Sequence, residues 1–369
     1  MASVSSKRKK TAPTMLDVAA TAGVSVATVS AFVNGTVPVS TELRGRIEQA
    51  IRSIGYKRNA IARSLKMGTT KTIGLVIADI TNPFFTDVTS VIQDVLHRSG
   101  YAVMLCCTDE DPAVQDEQIS LLLDRMVDGL IIAPAGDDHA LERMLSGADI
   151  PIVLIDRICG GINADAVVLD NQRAVQDAIN YLISLGHRRI GYISGSLDTS
   201  TGIGRLAGYK AALESAGIPI SDDLIRFGNF RERDAYNAAI QLLVQSDRPS
   251  ALFSANNLMV IGVMKAIRDT GLRCPDDISV SSFDDFPWAD VFQPNLTTIA
   301  QPVQTIGEQA ARLILGRIAH RGDDQPPQRI VLSGRLMIRD SCRPVSDSLL
   351  DPESAWNGAP HPWFPHAKE

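Results

Sequence analysis

From Lys71 onward the chain alternates β-rich runs with helical segments, and it does so twice. TIGLVIA leads to a helical FFTDVTSVIQDVLHRSG, then YAVMLCC, a helix over 113–126, GLIIAP, a helix near 138–146 and PIVLID. A second round starts near Val167 with VVLD and runs through a helix at 172–185, RIGYISG, helices at 203–216 and 231–246, ALFSAN, a helix at 257–270 and ISVSSFDD. Alternation of this kind means βαβ units, hence parallel sheets covered by helices on both faces. Two doubly wound halves place a ligand at the carboxyl ends of the strands, in the cleft between them.

The preceding segment has a different grammar. Thr14 can cap a helix with Asp17 three residues on, and Leu16, Val18, Ala19 and Ala22 follow at core-facing spacing. Gly23 breaks that helix and Ser25 can cap a second, in which Val29 and Val33 face inward while Val26, Ala27, Thr28, Ser30 and Ala31 point outward. A helix, a Gly-containing turn and a second helix of small residues form a helix-turn-helix unit, slim enough to enter a DNA major groove. A third helix, from about Thr41 to Ile54 with Gly55 as its stop, completes a three-helix head. Asn59 then starts AIARSLK, a stretch too short and too weakly apolar to hold a helix by itself.

Charge divides along the same line. Residues 1–71 contain twelve Lys/Arg and three Asp/Glu, a balance of +9, which leaves −15 of the net −6 for the rest. A basic head on an acidic body suits a polyanionic partner for the head only. Lys7-Arg8-Lys9-Lys10 imitates the start of a signal peptide, but Asp17 interrupts the apolar segment that follows. No run is long enough to cross a membrane, and the cysteines, mostly in apolar surroundings, read as reduced core residues of a cytoplasmic protein. The five cysteines show no C-x-x-C spacing and the six histidines are scattered, so neither a disulfide framework nor a metal site is expected.

Taken together, MLDVAATAGVSVATVSAFVN, IGYKRNAIARSLK, TIGLVIADITNPFF, DGLIIAP, LGHRRIGYISG, GRLAGYKAAL, ALFSANNLMVIGVMKAI, DISVSSFDD and LTTIAQP resemble the lactose/galactose repressor (LacI) family of bacterial regulators, over roughly residues 14–343. The resemblance implies a helix-turn-helix headpiece, a hinge helix and an α/β core similar to periplasmic sugar-binding proteins, built of two doubly wound subdomains. The expected division is a disordered basic arm at 1–13, a headpiece at 14–58, a hinge and linker at 59–70, a core at 71–343 and a disordered tail at 344–369. Within the core, 71–168 with 299–328 should form one subdomain and 169–298 with 329–343 the other.

By the same resemblance, Val26, Ala27 and Ala31 occupy base-reading positions, Thr28, Ser30 and Asn34 support phosphate and groove contacts, and Asn59, Ala62 and Leu65 contact DNA from the hinge. Leu65 matches a leucine that wedges into the minor groove, with Arg58, Arg63 and Lys66 around it to meet phosphates. Where relatives often carry arginine, this chain has Ala31, which can make only apolar contacts, chiefly to thymine methyls. In the core, Arg205 and Asp284 are expected to face each other across the cleft, with Phe230 as an aromatic platform, Asn256 as an amide, and Phe85 and Asp156 on the other half. Arginine and carboxylate can together fix several sugar hydroxyls. Thr199 stands where purine-binding members carry arginine, which argues against a purine. Arg157 would favour an anionic ligand if it points inward.

Enzyme readings fail on spacing. Gly202, Gly204 and Gly208 imitate a dinucleotide fingerprint, but the third glycine is one residue late, and no nucleophile elbow, P-loop or H-E-x-x-H is present. The expectation is a homodimeric regulator, without cofactor, that binds palindromic double-stranded operator DNA under control of a sugar or sugar-acid effector. The alternative is a sugar-binding protein without DNA regulation, and the basic head argues against it.

Overall fold

The computed structural model describes residues 13–34, 37–56, 68–136, 139–323 and 325–345, and the chain divides into two compact units between Thr70 and Lys71. The hinge segment with Asn59, Ala62 and Leu65, the basic arm up to residue 12 and the tail beyond Val345 lie outside the described residues, as does the side chain of Asn34.

The first unit holds α1 (Met15–Ala22), α2 (Val26–Asn34) and α3 (Thr41–Ile54). Thr14 and Asp17 form the reciprocal capping box: the Thr14 hydroxyl accepts from the Asp17 amide, and the Asp17 carboxylate accepts from the Thr14 amide at 2.8 Å. Gly23, at φ 64°, closes α1 in the left-handed region, and the Ser25 hydroxyl accepts the Thr28 amide at 3.1 Å to open α2. The two helices meet at 109°, within the range of a helix-turn-helix. Val18, Ala19, Ala22, Val29, Ile47 and Ala50 are buried between the three helices. Leu16 departs from its expected place, being 68% exposed. At 3.6 residues per turn it lies roughly a third of a turn from the centre of the Val18–Ala19–Ala22 stripe. From α3, Arg46 donates to the carbonyls of Ala22 at 2.7 Å and Gly23 at 3.1 Å, a cation placed on orphan acceptors at the negative end of α1.

In the second unit, β1 (Thr72–Ile77), β2 (Ala102–Cys107), β3 (Gly129–Ile132), β4 (Ile152–Asp156), β5 (Asp165–Leu169) and β11 (Arg329–Leu332) make a six-stranded sheet in the order β11-β5-β4-β3-β1-β2, parallel throughout. Successive residues of β1 serve opposite faces. Ile73, Leu75 and Ile77 pack under α4 (Pro83–Arg98) and α11 (Val303–Ala319), whereas Val76 joins Ile119 and Leu122 of α5 (Pro112–Asp124) and Leu141 and Leu145 of α6 (His139–Ser146). This is the two-sided burial that a parallel sheet demands.

The other sheet runs β12-β10-β9-β8-β6-β7, from β6 (Ile190–Ser194), β7 (Ile225–Phe227), β8 (Ala251–Ser254), β9 (Ser279–Phe283), β10 (Thr297–Ala300) and β12 (Arg335–Met337), of which β12 alone is antiparallel to its neighbour. Helices α7 (Asn171–Ser184), α8 (Ser200–Ser215), α9 (Glu232–Leu243) and α10 (Asn257–Asp269) cover it. At its centre Tyr192 stacks against Tyr209 and Phe253, with ring centroids 4.8 and 5.7 Å apart. Gly202, Gly204 and Gly208 lie inside α8, so they form no phosphate-binding loop.

Between the two sheets the chain crosses three times, after Leu169, after Ala300 and after Leu332. Two of the crossings come later than the expected division. Residues 299 and 300 belong to β10 in the second sheet, and 329–332 pair in parallel with Ala166–Leu169 in the first. The alternating pattern of RIVL fits the edge of either sheet, and only the pairing partner separates the two. The core also continues past residue 343, because the Val345 amide donates to the Leu185 carbonyl at 2.9 Å.

Candidate functional site

On the first unit, the outward side of α2 carries the residues singled out for DNA. Val26 and Ala27 are exposed, and Thr28, Ser30 and Ala31 are half-buried. Part of Thr28 is spent within the helix cap, where its hydroxyl lies 2.8 Å from that of Ser25. The surface is therefore small, smooth and mostly apolar.

The core residues gather at the carboxyl ends of strands, as the topology requires. Asp156 ends β4 and Asp284 follows β9, both in the left-handed region at φ 62° and 66°. Phe85 opens α4 after β1, Phe230 follows β7, Asn256 caps α10 after β8, and Arg205 lies one turn into α8. All six line one small chamber of about 20 Å³, together with Asn82, Phe84, Glu110, Arg157 and Thr201. A neighbouring pocket of about 240 Å³, between Thr81, Asp109, Arg231 and Glu232, shares Asn82, Phe85, Glu110, Phe230 and Asn256 with it.

One expected relation is different. Arg205 and Asp284 belong to the same subdomain and lie side by side, 4.0 Å apart, because α8 and the end of β9 share one sheet. The opposite wall is formed by Asp156 and Arg157. Arg205 is fixed by the Asn171 side chain at 2.8 Å and the Ala255 carbonyl at 2.6 Å, and its guanidinium stacks 3.6 Å from the Phe283 ring centre. Phe230 lies between the two cations, with Arg157 at 5.3 Å and Arg205 at 6.0 Å from its ring. It fits there because Gly195 has no side chain; a Cβ would stand 2.0 Å from the ring.

Burial dominates the electrostatics. It pushes the Asp156 carboxyl above the usual range, against the pull of Arg157 and Arg205, and does the same to Asp284 against Arg205 and the Gln301 amide. Asp284 accepts from Gln301 at 2.6 Å, on the segment that crosses back to the first subdomain. Burial also pulls Arg157 down, but the facing Glu110 carboxylate outweighs it and the guanidinium pKa rises. Arg157 does point inward, yet both its terminal nitrogens are taken by Glu110, at 2.5 and 2.7 Å.

Among the described residues, polar contacts bridge the subdomains around the chamber. Asn257 donates to the Asn82 side chain at 2.9 Å, Arg231 to the Asp109 carbonyl at 2.6 Å, and the Ile158 amide to the Ser200 hydroxyl at 3.0 Å. Thr199 is absorbed by the fold: its hydroxyl caps α8 through the Gly202 amide and donates to the Ser196 carbonyl. A cavity of about 390 Å³ lies at the amino ends of β4 and β5, but the buried Asp165 in it is already held by Arg317 and the Gln328 amide. Among the described residues no group of His, Cys, Asp and Glu is arranged to hold a metal, and no single helix is long and apolar enough to cross a membrane.

Residues 14–59 match the bacterial regulatory proteins of the lacI family, and residues 70–336 match the periplasmic binding proteins and sugar-binding domain of that family. The chain belongs to the LacI family. It is 35% identical over 336 residues to the HTH-type transcriptional repressor PurR of Mannheimia succiniciproducens, spanning 90% of this chain and 99% of that protein. Among solved structures it resembles the transcriptional regulator CelR in complex with cellobiose, at 31% identity and TM-score 0.68, covering 89% of this chain and 99% of that one. It also resembles the lac repressor dimer bound to operator and the anti-inducer ONPF, at 25% identity and TM-score 0.79, covering 90% and 100%. As a LacI-family protein it is a DNA-binding transcriptional regulator with a ligand-binding core, of a kind whose relatives are repressors and not enzymes.

Several residues of the LacI-type cleft escaped sequence reasoning. Asn82, Glu110, Asn171, Asn257 and Gln301 all lie at strand ends, helix starts or crossings, where the topology directs ligands. A rule that took the few residues following each strand would have found all five.

Proposed function

We propose that this protein is a transcriptional repressor whose homodimer binds a palindromic operator, and whose affinity for that operator is set by a small carbohydrate, sugar or sugar acid, in the core cleft. The observation that carries the effector reading is the chamber itself: Asp156, Asp284 and Arg205 converge there beside the ring of Phe230. Carboxylates that accept and a guanidinium that donates can bind vicinal hydroxyls in pairs, while an aromatic face covers the C–H side of a sugar ring. Phe85 and Asn256 would complete the contacts. CelR, a relative of matching architecture, holds cellobiose. A thermal-shift screen of sugars, sugar acids and nucleobases tests the reading, since a ligand specific to the folded state at a hundred times its Kd stabilises by about 2.7 kcal/mol. Stabilisation by a nucleobase and by no carbohydrate would overturn it.

For DNA, Val26, Ala27 and Ala31 would read half-sites partly through thymine methyls, with Thr28, Ser30 and Asn34 at phosphates and Asn59, Ala62 and Leu65 in the central minor groove. Each apolar contact discriminates less than the roughly 1–3 kcal/mol of a bidentate pair. Selection on randomised duplexes should return a palindrome, and Ala31→Arg should move one half-site position toward guanine. A consensus without two-fold symmetry, or one that ignores Ala31→Arg, would refute the docking. Light scattering should give a dimer that persists when residues 346–369 are deleted, because that tail has four prolines and no leucine heptad.

A further inference from the structure

The geometry points to Glu110 as the residue that sets the charge of what the cleft accepts: by neutralising Arg157 it selects neutral polyhydroxylated effectors and excludes sugar acids and sugar phosphates. The inference deepens the carbohydrate reading and rests on the chamber being the effector site.

Arg157 is 4% exposed and would be the natural receptor for a carboxylate or phosphate. Its fork is instead occupied. The terminal nitrogens meet both Glu110 oxygens, one of them also donates to the Pro134 carbonyl at 3.1 Å, and Nε lies 3.3 Å from Asp156. Arg205 is likewise engaged by Asn171, Ala255 and its neighbour Asp284. Among the described residues lining the chamber, Glu110, Asp156 and Asp284 stand against Arg157 and Arg205, a formal balance of −1. An entering anion would bring a second unbalanced charge into a site where Arg157 is already paired with Glu110 and the only other guanidinium lining the chamber, Arg205, is shared with Asp284. A hydroxyl group meets no such penalty, because it can donate to the carboxylates already there.

The backbone supports a dedicated role for Glu110. Asp109 and Glu110 are consecutive non-glycine residues in the left-handed region, at φ 53° and 61°. Such a pair is uncommon and persists only where surrounding contacts hold it. Here the Asp109 amide donates to Ala78 at 2.8 Å, the Asp111 amide to Thr108 at 2.9 Å, and Arg231 to the Asp109 carbonyl. The turn thus directs the half-buried Glu110 carboxylate onto Arg157.

The test compares matched probes on the full-length protein by thermal shift and calorimetry: D-ribose with ribose 5-phosphate, D-glucose with D-gluconate, cellobiose with cellobionate, and inorganic phosphate alone. For any skeleton that binds, the wild type should hold the neutral member at least tenfold tighter than the anion, equivalent to about 1.4 kcal/mol. Glu110→Gln should shrink that ratio by tenfold or more, and should gain saturable binding of inorganic phosphate that is lost again in Glu110→Gln/Arg157→Gln. Circular dichroism controls for folding. If Glu110→Gln does not fold, Glu110→Asp, which withdraws the carboxylate by one methylene, should show a partial gain. Wild-type protein that binds an anion as tightly as its neutral partner, or Glu110 variants with no gain of phosphate binding, would overturn the proposal. Phosphate results as expected, with no neutral sugar bound, would sink the carbohydrate reading and leave the charge gate standing.

Discussion

Arg205 enters the cleft with its guanidinium already fixed on three sides by Asn171, Ala255 and the Phe283 ring, so little conformational entropy is left to lose when a ligand arrives. Arg205→Ala or Asp284→Ala should raise the effector Kd by about 30-fold or more, because losing one partner of a buried charged hydrogen bond costs about 2–5 kcal/mol. Titration calorimetry with the effector found by screening checks this. The two carboxylates also give a pH signature. Burial raises Asp156 and Asp284 in the folded state, so their contribution to stability is full at acid pH and is lost as pH rises through the raised values. Asp156→Asn/Asp284→Asn, which mimics the protonated acids, should therefore gain in Tm relative to the unliganded wild type as pH increases from 4 to 7; a constant difference would count against the assignment. Of the residues involved, the six named from motif could be pointed to only through the family resemblance, and the structure brings them to strand ends around one chamber. Glu110 was not: one carboxylate of a helix-capping DED run reads as surface charge until the left-handed turn that redirects it is seen.

At the scale of elements, the headpiece is the most fragile part, since three short helices share one small core. Its stability leans on caps. Arg46 joins α3 to the last carbonyls of α1, and Arg46→Ala should destabilise the headpiece by about 1 kcal/mol, read as a lower unfolding midpoint by circular dichroism of the headpiece transition. The capping box, the Gly23 stop and the inward valines could be read from spacing alone, because cap chemistry is local. Leu16 could not be placed so surely, as a short helix gives the stripe too few turns to define its edge. The same limit explains the misassigned β11, where a four-residue strand carries no information about its partner.

For the molecule as a whole, the doubling of the strand–helix pattern foretold two subdomains and a cleft, whereas the contacts that hold the cleft shut depend on side chains brought together from opposite walls. Arg231→Ala removes one of these contacts without touching the chamber floor, and should speed effector association several-fold in stopped-flow measurements. An unchanged on-rate would mean that closure is governed elsewhere. The three crossings carry a last consequence, which concerns how the protein is made. The first sheet lacks its edge strand until Leu332 has been synthesised, and the second lacks β12 until Met337. On the ribosome the headpiece emerges before the core and can fold at once, while both sheets wait for β11 and β12 with an edge unpaired. A message truncated before that point would yield a headpiece tethered to an unfinished core, a product for chaperones and proteases and not an unregulated competitor at the operator.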